Sequence, residues 1–164
     1  MGDATANYPG AASVRRFFIA LDNRVFLVVD DVRMETPAAI EARVHSFVAP
    51  TRGEGMWEIR DGEAALALSH WSGSPIEVNL LEDPGKEKKS MAIKPDWVIA
   101  AATTEPSSKS ILATLLEPHR AGGAVEPLTA KRGEKEIVFH AVGFDIRFIA
   151  DGDGIAFDSV SAPK

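Results

Sequence analysis

Residues 14–47 read Val14-Arg15-Arg16-Phe17-Phe18-Ile19-Ala20-Leu21, then Asp22-Asn23, then Arg24-Val25-Phe26-Leu27-Val28-Val29-Asp30-Asp31-Val32, then Arg33-Met34-Glu35 and Thr36-Pro37, then Ala38-Ala39-Ile40-Glu41-Ala42-Arg43-Val44-His45-Ser46-Phe47. Three apolar, β-branched or aromatic runs are cut by two short polar breaks. That is the pattern of consecutive antiparallel strands. Asp22-Asn23 suits a tight hairpin, because both residue types tolerate positive φ and bond their own backbone. The middle run is apolar on both faces until Asp30, which predicts a strand deep in a sheet. Pro37 has no N–H for a ladder, so the second break is expected to be a turn.

Outward from this stretch the turn signals continue. Met56 to Arg60 alternates, Asp61-Gly62 marks a hairpin, and Ala64 to Trp71 alternates again with Ala64, Leu66 and Leu68 on one face. Ile76 to Leu80 has a two-residue period, and Trp97 to Thr103 reads as a small apolar strand. Ser110 to Glu117 could place its leucines on a helix face, but its shortness between Pro106 and Pro118 favours a strand. Glu136 to Val142 and Phe144 to Ala150 form a hairpin through Gly143, and Asp151-Gly152-Asp153-Gly154 leads into Ile155-Ala156-Phe157. No helix of about ten residues is visible. The reading is an all-β fold: an antiparallel β-sandwich of roughly ten to twelve short strands. Two sheets are expected face to face, with Phe17, Ile19, Val25, Leu27, Val29, Ile137, Phe139, Ile146 and Phe148 between them. Residues 1–13 read as a lead-in segment and 14–164 as a single sandwich domain.

Composition bounds the function. At 164 residues the chain can bury roughly 70% of its unfolded surface, enough for a core without staples. It has no cysteine, which excludes disulfides, thiolate metal sites and cysteine catalysis. The net charge of -6 argues against nucleic acid and anionic membrane, which need clustered Lys and Arg. The one basic cluster, Lys86 to Lys89, is interleaved with Glu82, Asp83 and Glu87 and reads as a solvated loop. No apolar run approaches the roughly 20 residues of a membrane helix, and no secretory leader is visible. The chain opens on a short polar segment and enters a strand at once, so it is expected to be a piece of a longer protein.

The chemistry-bearing residues are sparse. Asp30 and Asp31 are adjacent on a strand and point to opposite faces, so they cannot chelate one ion as a pair. An edge or turn role for one and solvent for the other is expected. Asp151-Gly-Asp-Gly resembles the start of a calcium loop but lacks the later ligands, so it reads as a hairpin turn. His45, His70, His119 and His140 form no paired zinc spacing, and no metal or cofactor is expected. No serine lies in a nucleophile elbow, and Gly122-Gly123 is not followed by the lysine of a phosphate loop. Trp57, Trp71 and Trp97 are candidate carbohydrate-binding residues if two share a solvent face. Core placement is the competing reading.

Three features of the opening stretch resemble the heparinase II/III-like polysaccharide lyases: an arginine opening a strand and its hairpin, a run ending in Val28-Val29-Asp30-Asp31-Val32, and a strand ending near His45. The lead-in Asp3-Ala4-Thr5-Ala6-Asn7-Tyr8-Pro9-Gly10 is similar to the segment that precedes it there. The resemblance covers Asp3 to Phe47. It implies the C-terminal β-sandwich region of an enzyme that cleaves uronate-containing polysaccharide by β-elimination. In that family an upstream helical (α/α) toroid supplies part of the site. Tyr and His act as the acid–base pair, and Asn or Glu neutralises the uronate. Some members hold a structural zinc through a His-x-Asp stretch.

This chain has no toroid and no His-x-Asp, and its one tyrosine, Tyr8, lies in the lead-in. No catalytic residue is therefore carried over. His45 stands where the resemblance places a histidine and is the candidate catalytic residue, against a hydrogen-bonded structural role. The implied partners are an acidic polysaccharide, met through the full-length protein, and the upstream toroid. The implied location is periplasmic or secreted, with the cytoplasm left open. Two readings of other classes stand beside this one: a free-standing carbohydrate-binding module, and a structural or protein-interaction domain.

Overall fold

A computed structural model describes residues 1–22, 24–83, 96–152 and 154–162. The described residues form fourteen strands and one short 3-10 turn. The strands are β1 (Gly2–Asp3), β2 (Ala11–Leu21), β3 (Val25–Ala38), β4 (Glu41–Ser46), β5 (Thr51–Arg52), β6 (Trp57–Asp61) and β7 (Ala64–Ser72). They continue as β8 (Ile76–Asp83), β9 (Asp96–Thr103), β10 (Ser107–Arg120), β11 (Thr129–Arg132), β12 (Glu136–Ala141), β13 (Phe144–Asp151) and β14 (Gly154–Ser161). Among the described residues every ladder is antiparallel. The all-β sandwich follows as read from the sequence.

The layering differs from the expected pair of sheets. Strands β1-β2-β3-β10-β7-β6-β5 make a seven-stranded sheet, β11-β12-β13-β14 a four-stranded one, and β4-β9-β8 a three-stranded one. The four-stranded sheet covers one face of the large sheet. Phe17, Leu27, Val29, Ile111 and Leu115 pack there against Ile137, Phe139, Ile146 and Phe148. All nine expected core residues lie in this cluster, Ile19 at its margin. The three-stranded sheet covers part of the other face through two further clusters. One joins Val14, Val32, Ile40 and Leu112, and the other joins Trp57, Leu68 and Ile99. The cause is visible in β3, which is apolar in both alternating sets and so needs a partner on each side.

The two breaks behave differently from each other. The Asp22-Asn23 hairpin forms, with Asp22 at φ 49 and Leu21 opposite Val25; Asn23 lies outside the described residues. At the second break β3 runs through Pro37 to Ala38 instead of turning. The β2 ladder has ended at Met34 and the β10 ladder is irregular there, so the missing N–H leaves no regular bond unmade. The third run then crosses into another sheet as β4 rather than pairing with β3. Pro118 is tolerated inside β10 for a similar reason: pairing with β3 ends at Leu116, and β7 alone continues beside it. The Lys86–Lys89 cluster lies outside the described residues.

Candidate functional site

The hairpin register sets Arg15 opposite Asp31 and Arg16 opposite Asp30. Because neighbouring strand residues face opposite ways, the two pairs lie on opposite faces of the large sheet. Both aspartates are buried, so the expected solvent role for one of them is corrected. Each carboxylate has an arginine directly across the ladder, and that pairing offsets its loss of hydration.

On the four-stranded side, Arg15 Nε and Nη2 donate to Asp31 Oδ2 at 3.2 and 2.7 Å, and Ile155 N–H donates to the same oxygen at 3.1 Å. Arg15 also reaches Asp151 at 3.3 Å. The hydrogen bond to Asp31 holds the Arg15 pKa above its ordinary value. The Asp151-Gly-Asp-Gly segment is the β13–β14 turn, with Asp151 opposite Gly154; Asp153 lies outside the described residues. Gly154 rests directly on the ion pair, and a Cβ there would overlap both the Arg15 guanidinium and the Asp31 carboxylate. This pair ties β14 to the large sheet and reads as architecture.

On the other face, Arg16 Nε and Nη2 donate to Asp30 Oδ1 and Oδ2 at 2.6 and 2.9 Å. The hydrogen bond to Asp30 raises the Arg16 pKa. This two-point pair forms one wall of a groove of about 300 Å³. Its floor is apolar, from Val14, Val32, Met34, Ile40 and Leu112. Arg43 and Glu41 of β4 make the facing wall, joined at 2.6 and 3.3 Å. Tyr8, 52% exposed, stands at the rim with Pro9. The groove therefore collects the lead-in, β2, β3, β4 and β10. Apolar floor, convergent polar groups and aromatic rim are the ordinary make-up of a small-molecule site.

The histidines do not converge. His45 is exposed on the outer face of β4, opposite Val98, and lines no described groove with the others. His70 of β7 places Nδ1 3.0 Å from Thr114 Oγ1, and burial pushes its pKa down to about 4. It lines a separate cavity of about 130 Å³ with Trp57 and Arg52. His119 places Nδ1 2.8 Å from the Arg120 carbonyl and Nε2 3.5 Å from Glu58. Beside it Glu117 is half-buried, and burial raises its pKa. His140 Nδ1 lies 2.6 Å from Asp145, on the outer face of the four-stranded sheet. Among the described residues, no group of three or more His, Asp or Glu is placed to hold a metal ion.

The tryptophans do not share a face either. Trp57 is buried towards the three-stranded sheet. Trp71 is half-buried on the opposite side, edge-on to Phe139 with ring centroids 5.2 Å apart. Trp97 is half-buried at one end of β9, opposite Ser46 and Glu82. Of the groove residues, Asp30 stands out in the sequence only as half of Asp30-Asp31, and Arg16, Glu41 and Arg43 carry no local motif. Reflecting β2 onto β3 through a three-residue hairpin loop would have found the first pair.

Comparison with known proteins gives the fold. No protein-family profile matches the chain, and no curated protein matches it. Among solved structures it is similar to the heparan sulfate lyase HepC from Pedobacter heparinus, at a TM-score of 0.57 and 14% identity, over 92% of this chain and 24% of the lyase. A mutant of the same lyase gives 0.56 and 13% over the same shares. This chain thus spans about a quarter of the length of the lyase it resembles. The likeness is one of β-fold.

Proposed function

We propose that this chain is the β-sandwich region of a heparinase II/III-like polysaccharide lyase, and that it is not catalytic by itself. In the full-length protein it would act on a uronate-containing polysaccharide by β-elimination, beside a helical toroid that lies outside this chain. The observation that carries the reading is the fold likeness, which takes in 92% of this chain but only 24% of a heparan sulfate lyase. The Asp3–Phe47 stretch resembles the same family in sequence, which supports the reading.

Elimination needs a base within reach of the C5 proton and a neutralised carboxylate at the same moment. Tyr8 is at the rim of the groove, and His45 is not among the residues that line it. Among the described residues, no histidine lines the groove with Tyr8. The isolated chain is therefore expected to leave alginate, heparan sulfate and hyaluronan uncleaved. The unsaturated uronate of an elimination product absorbs in the ultraviolet, so absorbance reads the outcome directly. A general base contributes roughly 10²–10⁴-fold, and its absence should leave the rate at background. Cleavage by the purified chain that His45→Ala abolishes would sink the silent-domain reading.

A second reading, a free-standing carbohydrate-binding module, is favoured by the groove beside Tyr8 rather than by the tryptophans. The two part on what the full-length protein does. A protein that produces unsaturated uronate supports the lyase; one that binds sugar and leaves it intact supports the module.

A further inference from the structure

We infer that the groove between β2–β3 and β4 is a saccharide subsite that takes an uncharged pyranose through a vicinal diol. This concerns the chain itself and does not depend on the longer protein being a lyase.

The argument starts with donors and acceptors. Arg16 spends Nε and Nη2 on Asp30, and Nη1 takes no part in that pair. A guanidinium has five N–H donors, and each carboxylate oxygen has two lone pairs. The pair therefore still offers outward N–H groups next to oxygen acceptors. Arg16 keeps 54% of its side chain exposed, and Asp30 keeps 10%. Neighbouring hydroxyls of a sugar ring present the complementary set, since each hydroxyl both donates and accepts.

The rest of the groove fits the remainder of a pyranose. Val14, Val32, Met34 and Leu112 offer an apolar floor for a C–H face, and Tyr8 offers an exposed ring at the rim. A volume of about 300 Å³ is at the lower end for ligand sites, which limits the ligand to roughly one or two rings.

Charge decides the class of sugar. Arg16 is neutralised by Asp30 and Arg43 by Glu41, both through two-point pairs. The four side chains sum to no net charge. A uronate or sulfate entering here meets guanidinium groups already satisfied by carboxylates, and it also meets those carboxylates. An uncharged ring loses nothing by that balance.

The test is calorimetric titration of this chain with uncharged oligosaccharides built on glucose, galactose, mannose or N-acetylglucosamine, beside a heparan sulfate tetrasaccharide. At least one uncharged series should bind, with affinity little changed between low and high salt, where the Debye length falls from roughly 30 to 3 Å. Tyr8→Ala, at an exposed position, should weaken that binding about tenfold. Asp30→Asn should unmask Arg16 and give new, salt-sensitive binding of the heparan sulfate fragment. If Asp30→Asn fails to fold, Arg16→Lys, which keeps the charge but loses the two-point fork, should weaken binding of the uncharged series. No binding of any uncharged series overturns the inference. So does binding indifferent to Tyr8→Ala, or wild-type binding of the acidic fragment alone. The lyase reading is judged separately, by unsaturated product from the longer protein, and survives any of these failures.

Discussion

Val142 is held at φ 49, in the left-handed region, and Gly143 follows at φ 78. Two successive positive φ values are the signature of the tight turn that best matches strand twist, and Asn-Gly is its preferred sequence. A β-branched residue is the wrong one for the first position, because its Cβ crowds the neighbouring carbonyl at roughly 1–2 kcal/mol. Val142 is 37% exposed, so replacing it empties no core. Val142→Asn should therefore raise stability by about 1 kcal/mol, read as a higher urea midpoint with an unchanged slope. His70 carries a second expectation at this scale. Its folded pKa of about 4 lies below the ordinary histidine value of roughly 6.5. Between those values the unfolded chain binds a proton that the folded chain refuses, so stability falls as pH drops from about 6.5 to 4. The full shift corresponds to ~3 kcal/mol. His70→Gln should flatten that part of the stability–pH curve, and an unaltered curve would show that another group is responsible.

At the scale of elements, what was legible in the sequence was local. The hairpins at Asp22, Asp61-Gly62 and Gly143, and the strands that flank them, depend on neighbours in sequence and could be read there. Ser110 to Glu117 is a strand, as its shortness between two prolines predicts, and it lies in β10 at the centre of the large sheet. What could not be read was long-range. The crossing of the third run into a separate sheet depends on which face of β10 and β7 it covers, not on its own pattern. The strand Thr129–Arg132 leaves no signal in the sequence, because four mixed residues carry too little period. The groove was illegible for a similar cause: its walls come from the lead-in, β2, β3 and β4, and no short spacing joins them. The β13–β14 hairpin tests how such a long-range contact stabilises an element. Gly154 has no room for a Cβ above the Arg15–Asp31 pair, and Asp31 is fully buried. Gly154→Ala must push β14 away or break the pair, stranding a buried carboxylate at roughly 3–5 kcal/mol. Gly152→Ala in the adjacent turn meets no atoms and should cost only its positive φ, about 1 kcal/mol. Comparable losses at the two glycines would show that the ion pair does not anchor the strand.

The described residues form three layers that share one sheet. Strands β2, β3 and β10 contribute to clusters on both faces: Phe17, Leu27, Val29 and Leu115 on one side, and Val14, Val32 and Leu112 on the other. Neither outer sheet can keep its cluster if the shared sheet dissolves. The shared sheet in turn would expose a full apolar face if either outer sheet detached, and such a face costs about 25 cal/mol per Å². Coupling of this kind predicts one cooperative transition. The tryptophans are placed to report it, since Trp57 sits in the layer under the three-stranded sheet and Trp71 packs on Phe139 in the other. A variant keeping only Trp57 and a variant keeping only Trp71, the remaining tryptophans changed to Phe, should each show a single fluorescence transition in urea. Within each variant, that transition should coincide with the loss of β-sheet circular dichroism. If the Trp57 signal moves at lower urea than the sheet signal of the same protein, the three-stranded layer peels off independently. The groove between β2–β3 and β4 would then open without global unfolding.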